Sequence, residues 1–246
     1  MPSSIPKTGA LPQLSPRDWP SHPSYIYSGY RSTAKRGPTQ PLIPLKASLG
    51  ELRQPVYGHS SIGEFDHDLT RNARRNGEPI GERMILAGQV LDEQRRPVRN
   101  TLIELWQANA CGRYAHSVDT YDAPLDPNFS GGGRVVTDSA GNYSFTTIKP
   151  GPYPWGNHHN AWRPSHIHFS VFGRSFTQRL VTQMYFPGDP LFPYDPIYNS
   201  VPDEKARERM ISSFDMEHSV SDWALAYRFD IVLRGREQTP FEEPHE

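Results

Sequence analysis

Only one cysteine, Cys111, occurs in 246 residues, so neither an internal disulfide nor a thiolate metal cluster can be built, which suits a reducing compartment. Long apolar runs are missing as well. Nothing approaches the length of a bilayer span, and the start "MPSSIPKTGA" has no apolar centre of the kind a secretory signal carries. Nor is there excess charge: 26 Lys and Arg stand against 27 Asp and Glu, with no long block of one sign. That removes the argument for a nucleic-acid or membrane partner. The expectation is a soluble cytoplasmic protein whose partners are small molecules or other proteins.

Helical periodicity is scarce. Residues 1 to 80 are rich in proline and turn formers ("PSSIPKTGALPQLSPRDWPSHP", "KRGPTQPLIPLKAS") and sustain no repeating pattern, so they form no domain alone. Trp19, Tyr25, Tyr27 and Tyr30 mark this stretch as an arm that docks on something else. From Gly81 to the end the pattern changes to short apolar stretches between turn formers, as in "RMILAGQVL", "TLIELWQA", "SHIHFSVFG", "QRLVTQMYF" and "LAYRFDIVLRG". "GRVVTDSAGNYSFTTI" reads as two strands around a Ser-Ala-Gly-Asn turn. Short strands at this spacing, without alternating helices, specify a mainly β chain, an antiparallel β-sandwich with a long irregular N-terminal arm and few short helices. The one helical stretch is "PDEKARERMISSF", 202 to 214, where Pro202 and Asp203 suit a helix start.

What is plentiful in one place is histidine. His158, His159, His166 and His168 are four of the ten histidines and fall within "YPWGNHHNAWRPSHIHFSVFG", residues 153 to 173. In an extended strand His166 and His168 project from one face roughly 6.5 Å apart at the Cα level, near enough to share an ion, while Ile167 points into the core. His158 and His159 are adjacent in a turn and face apart, which suits solvated loop residues. No His-x-x-x-His, His-x-Asp or cysteine pair completes a metal site. A distant carboxylate such as Asp189 remains open to the spacing argument. Tyrosine is the other candidate donor, since Fe(III) is Lewis-acidic enough to hold a phenolate that otherwise titrates near pH 10. Tyr114 closes "LIELWQANACGRY" and Tyr153 sits in "KPGPYPW". Prolines and a glycine fix the backbone around Tyr153, as for a residue placed without helix or sheet support.

Taken together, "ELWQANACGRY", "LDPNF", "TIKPGPYPW", "WRPSHIHF", "YFPGDP" and "YRFDIVLRG" resemble the intradiol ring-cleaving dioxygenases, in particular the iron-bearing β-type chains of the protocatechuate branch. The likeness runs from Gly81 to the C-terminus, with "DHDLT" upstream. It implies non-haem Fe(III) held by Tyr114, Tyr153, His166 and His168, with Tyr153 the tyrosinate that substrate displaces and Tyr114 the one that stays. It implies that Arg163 stabilises charge developing on the ring. It places Trp155, Gln183, Tyr185 and Ile197 in or near the pocket, and has Tyr30 reach the substrate region from the arm. The implied reaction is cleavage of protocatechuate (3,4-dihydroxybenzoate) by O2 to 3-carboxy-cis,cis-muconate, without external reductant. A homologous α chain is the implied partner, forming αβ protomers in a higher oligomer, with residues 1 to 80 packing on it and 81 to 246 as the catalytic sandwich. Two departures stand in the motifs: Cys111, expected as a small buried residue, and Ser165 where alanine is common. The alternatives are a catechol or hydroxyquinol dioxygenase with the same four ligands, and a non-catalytic β-sandwich binding module.

Overall fold

The computed structural model describes residues 21 to 30, 33 to 40, 59 to 156, 158 to 172 and 179 to 241. Trp19 and half of the proline-rich stretch of residues 1 to 80 lie outside them. Two sheets face each other across one core. In the first, β1 (Arg83–Leu91) lies between β4 (Asn142–Ile148) and the returning C-terminal strands β10 (Ala224–Arg228) and β11 (Ile231–Val232), with β9 (Ser213–Val220) outside β10. The second has the order β3 (Gly132–Val136), β2 (Leu102–Trp106), β7 (His166–Phe172), β8 (Arg179–Tyr185), all antiparallel. Phe145 and Leu86 from the first sheet meet Ile103, Ile167 and Phe169 from the second, all completely buried. Each such side chain contributes about 1.5–3 kcal/mol over leaving it in water. The mainly β, antiparallel reading therefore holds, with one addition: β1 pairs in parallel with β10 and then β11. The chain end returns alongside β1 as two short strands, and a parallel return carries no local sequence signal.

Three local features add to the reading or correct it. The "SAGN" segment does join two strands, but they do not pair with each other. β3 pairs with β2 and β4 with β1, so the turn carries the chain from one sheet to the other. Asp138 holds that turn by accepting from Ala140 N and Asn142 N, each at 2.8 Å. The expected helix over 202 to 214 is only a short one, Glu204–Glu208, capped where Asp203 accepts from Lys205 N. It stops because Ile211 bridges to Tyr185 and Ser212 N donates to Tyr185 O, turning the chain into a sheet edge. Before Gly81, Leu69 is fully buried in the core and its N–H bonds Thr146 O at 2.8 Å. Asp66 also pairs with Arg134 at 2.9 Å, so this stretch is packed on the sandwich. Among the described residues no helix is long and apolar enough to cross a membrane.

Candidate active site

β7 carries both histidines of the His-x-His pair, and sheet pairing sets Tyr185 of β8 opposite His166, and Gln183 of β8 with Trp106 of β2 on either side of His168. Both imidazoles are buried, with ring centroids 4.9 Å apart, and Trp106 stacks flat on His168 at 4.9 Å. Ile167 faces the core as alternation requires. His166 Nδ1 lies 2.7 Å from Pro164 O and donates to it, which leaves Nε2 as the lone-pair nitrogen. Burial, then the nearby Arg163 and His168 charges, hold His166 well below the ordinary value of 6.5. The imidazole is therefore neutral, the form that binds a metal.

Two loops bring tyrosines to that nitrogen. Asn109 organises the first: its Oδ1 accepts from Cys111 N and Arg113 N, and Asp119 accepts from Tyr114 N at 2.7 Å. Tyr153 lies in β5 (Tyr153–Trp155), a short strand paired with β6 (Ala161–Arg163). This corrects the expectation of a tyrosine without sheet support; the flanking prolines leave room for a three-residue ribbon whose partner arrives only after the "GNHHN" turn. The two loops touch backbone to backbone. A Cβ on Gly112, at φ +79°, would fall 2.3 Å from Pro152 O, and one on Gly151 would fall 2.3 Å from Ala110 O. Only glycines permit that approach. Ser165 ties the Tyr153 loop to β7 by donating to Pro150 O at 2.8 Å.

The result is convergence. The hydroxyls of Tyr114 and Tyr153 each lie 3.4 Å from His166 Nε2, and the two phenol rings meet edge to face at 5.6 Å. Two phenol oxygens facing one neutral imidazole nitrogen, with a second imidazole beside it, form a mixed oxygen and nitrogen donor set that fits a hard, strongly Lewis-acidic ion such as Fe(III). Among the described residues no group of three His, Cys, Asp or Glu side chains is arranged to hold a metal. Asp189 accepts from Ser165 N and Leu191 N, so it shapes the loop. His159 is exposed and His158 half-buried, both in the turn between β5 and β6. Cys111 is exposed rather than buried, because the Asn109 turn points its third residue outward.

Around the convergence point stands a second layer. Arg163, at 3% exposure, directs Nη2 to Gln183 Oε1 and to the Tyr185 hydroxyl at 3.3 Å, and its guanidinium carbon lies 5.9 Å from the Trp155 ring. Tyr30 packs edge-on against Trp155 at 4.8 Å, so one tyrosine of the arm does reach this region. Ile197 is buried, and its N–H bonds Asp195 Oδ1 at 2.9 Å. Sequence reasoning missed Asp195, Trp106 and Asn109. Only Asn109 had a local signal, standing in the turn-forming run that leads to Tyr114.

Comparison with known proteins identifies the family. Residues 52 to 235 match the family described as Dioxygenase, and residues 15 to 48 the one described as protocatechuate 3,4-dioxygenase beta subunit N terminal. The chain is 63% identical to a protocatechuate 3,4-dioxygenase beta chain of Burkholderia cepacia over 93% of its own length and 97% of that protein's. It is 33% identical to a protocatechuate 3,4-dioxygenase alpha chain of Pseudomonas putida, over 65% of its length and 76% of that chain. Among solved structures, a 3-chlorocatechol 1,2-dioxygenase from Rhodococcus opacus 1CP superposes with a TM-score of 0.51 at 22% identity, covering 76% of this chain and 69% of that one, which speaks to the fold. With a family match across most of its length and a relative this similar over nearly all of it, the chain belongs to the intradiol ring-cleavage dioxygenase family.

Proposed function

We propose that this chain is the iron-bearing, β-type subunit of a dioxygenase that cleaves protocatechuate with O2 to 3-carboxy-cis,cis-muconate. Fe(III) would be held by Tyr114, Tyr153, His166 and His168. The observation that carries the reading is the approach of both tyrosine hydroxyls to the same His166 nitrogen at 3.4 Å. The identity to a chain named for that reaction supports the substrate. Both atoms of O2 enter the product between the two hydroxylated carbons, so no external reductant is required.

When bound, Fe(III) supplies the Lewis acidity that keeps phenolates deprotonated and draws electron density from a catecholate. The chain's own residues do the rest. Tyr153 Oη is the base that takes a phenolic proton from the substrate as the diol enters. Tyr114 is fixed from behind by Asp119 and holds its place. His166, held in its neutral form, and His168 beside it would donate nitrogen lone pairs to the ion. The Arg163 guanidinium faces charge that develops on the ring, and because Asp195 and Gln183 already hold it, no reorganisation is needed during the reaction. Trp155, Tyr30 and Ile197 enclose the ring and exclude water.

The substrate carboxylate is met in part by a partner, a homologous α-type chain in an αβ protomer, and the sandwich, into whose core Leu69 packs from before Gly81, is the catalytic unit. The proposed compartment is the cytoplasm. The test is the visible spectrum of the protein co-expressed with that partner, recorded without oxygen before and after protocatechuate. A broad tyrosinate-to-Fe(III) band that shifts on binding is the expected result. Protein that stays colourless after reconstitution with iron would overturn the assignment.

A further inference from the structure

Among the described residues, Asp195 is the only buried acid and Arg163 the only buried Lys or Arg, and they pair with each other. Arg163 Nε lies 3.1 Å from Asp195 Oδ1 and 3.2 Å from Oδ2. A buried ion pair is weak evidence of stabilisation, since removing both charges from water costs as much as their attraction returns, and an apolar pair of similar shape would often serve the fold as well. Its placement is more informative. Asp195 occupies the Nε edge of the guanidinium, while Gln183 and Tyr185 take Nη2, so the plane of the group is set from two sides.

The same carboxylate does a second thing. Its Oδ1 also accepts from Ile197 N at 2.9 Å, and its backbone carbonyl accepts from Asn199 N and Nδ2. Asp195 therefore sits at the junction of two short 3-10 turns, Phe192–Tyr194 and Tyr198–Ser200, with both local geometry and a contact 32 residues away resting on one side chain.

We propose that Asp195 is a positioning residue for the cleavage reaction: one carboxylate holds the Arg163 guanidinium and the Ile197 backbone in fixed relation, so that the charge-stabilising group and the wall of the substrate site stay in register. This rests on the reading of Arg163 and Ile197 as substrate-facing. Asp195 touches no reacting atom; it acts through those two. A guanidinium displaced by about 1 Å loses on the order of 100-fold in rate even with every reacting group intact.

The test uses the iron-loaded enzyme with its partner chain, and the variants Asp195→Asn, Arg163→Ala and the two combined. Asp195→Asn is expected to lower kcat for protocatechuate about 100-fold while iron content and the resting visible band stay as in the wild type. The double variant should be no slower than Arg163→Ala alone, because residues acting through one another are non-additive. Wild-type kcat with only a lower melting temperature would overturn the proposal, as would losses that multiply in the double variant. Should Asp195→Asn not fold, Asp195→Glu keeps the charge and shifts the carboxylate by one methylene; a large loss of kcat is expected, and wild-type kcat would overturn the proposal. Wild-type protein that binds no iron or cleaves no catechol refutes the underlying function instead, and so separates the two failures.

Discussion

Tyr153 and Arg163 are direct cross-strand partners in the β5–β6 ribbon. Ten residues separate them in the chain, yet the pairing sets a phenol hydroxyl and a guanidinium at one end of the same short element. On the function proposed above, the residue that yields to substrate and the residue that stays fixed are thereby built on one scaffold. Tyr153 sits on the strand that enters the ribbon, and Arg163 on the strand that leads through Pro164 and Ser165 into β7.

Tyr153→Phe keeps the ring and removes only the oxygen. Turnover should fall by about 10²–10⁴, the usual contribution of a positioned acid or base, and the visible band should change in position or intensity. Melting temperature and circular dichroism should not. Initial rates and an absorption scan on the same sample check this, and an unaltered spectrum would sink the ligand assignment.

Arg163→Lys retains the charge but loses the planar fork that engages Asp195, Gln183 and Tyr185 together. Steady-state kinetics should show kcat lower by about 10²–10³, the scale of a lost charge-stabilising donor, with KM changed much less. A fall in affinity with kcat preserved would mean that Arg163 holds the substrate rather than the charge that develops on it.

Gly112→Ala brings a methyl to 2.3 Å from Pro152 O at a φ of +79°. The Tyr114 and Tyr153 loops must part to admit it. Stability should drop by about 1–3 kcal/mol from the backbone conformation alone, and iron bound per chain should fall with it. Urea midpoints and metal analysis measure the two effects independently.

Asp138 gives a pH signature away from the site. Hydrogen bonds from the Asn142 backbone and side chain, together with one from Ala140 N, hold its carboxyl below the ordinary 3.8, against a smaller opposing effect of burial. A depressed folded value means that the stabilisation is complete above the unfolded value and is lost as pH falls through the folded one. The difference in urea midpoint between wild type and Asp138→Ala should therefore be flat at neutral pH and shrink below about pH 3.8. A difference that grows on acidification would contradict the sign.

Much of this was legible along the chain. Two-residue alternation put His166 and His168 on one face with Ile167 behind them, because the strand period is a local property. The Pro-Gly run before Tyr153 marked a fixed backbone, since turn chemistry is also local, whereas the Asn109 turn that places Tyr114 was seen only in the fold. The helix expected over 202 to 214 failed after Glu208 because the competing interaction, pairing of Ile211 and Ser212 with Tyr185, lies far away in sequence. Cys111 was expected inside on residue type, and the direction of one turn put it outside.

What the sequence determined by itself is the residue chemistry and its periodicity: a β-rich chain, two histidines on one strand face, two tyrosines as candidate donors with the backbone fixed around one of them, and motifs specific enough to indicate a family. Tertiary structure alone decided which groups meet. The parallel return of β10 and β11 beside β1, the backbone contact of the Gly112 and Gly151 loops, and the burial of Asp195 against Arg163 all join segments tens of residues apart. Such contacts leave no mark on local pattern, because hydrogen-bonding capacity and charge are fixed by residue type while the partner is selected only when the sheets close and exclude water.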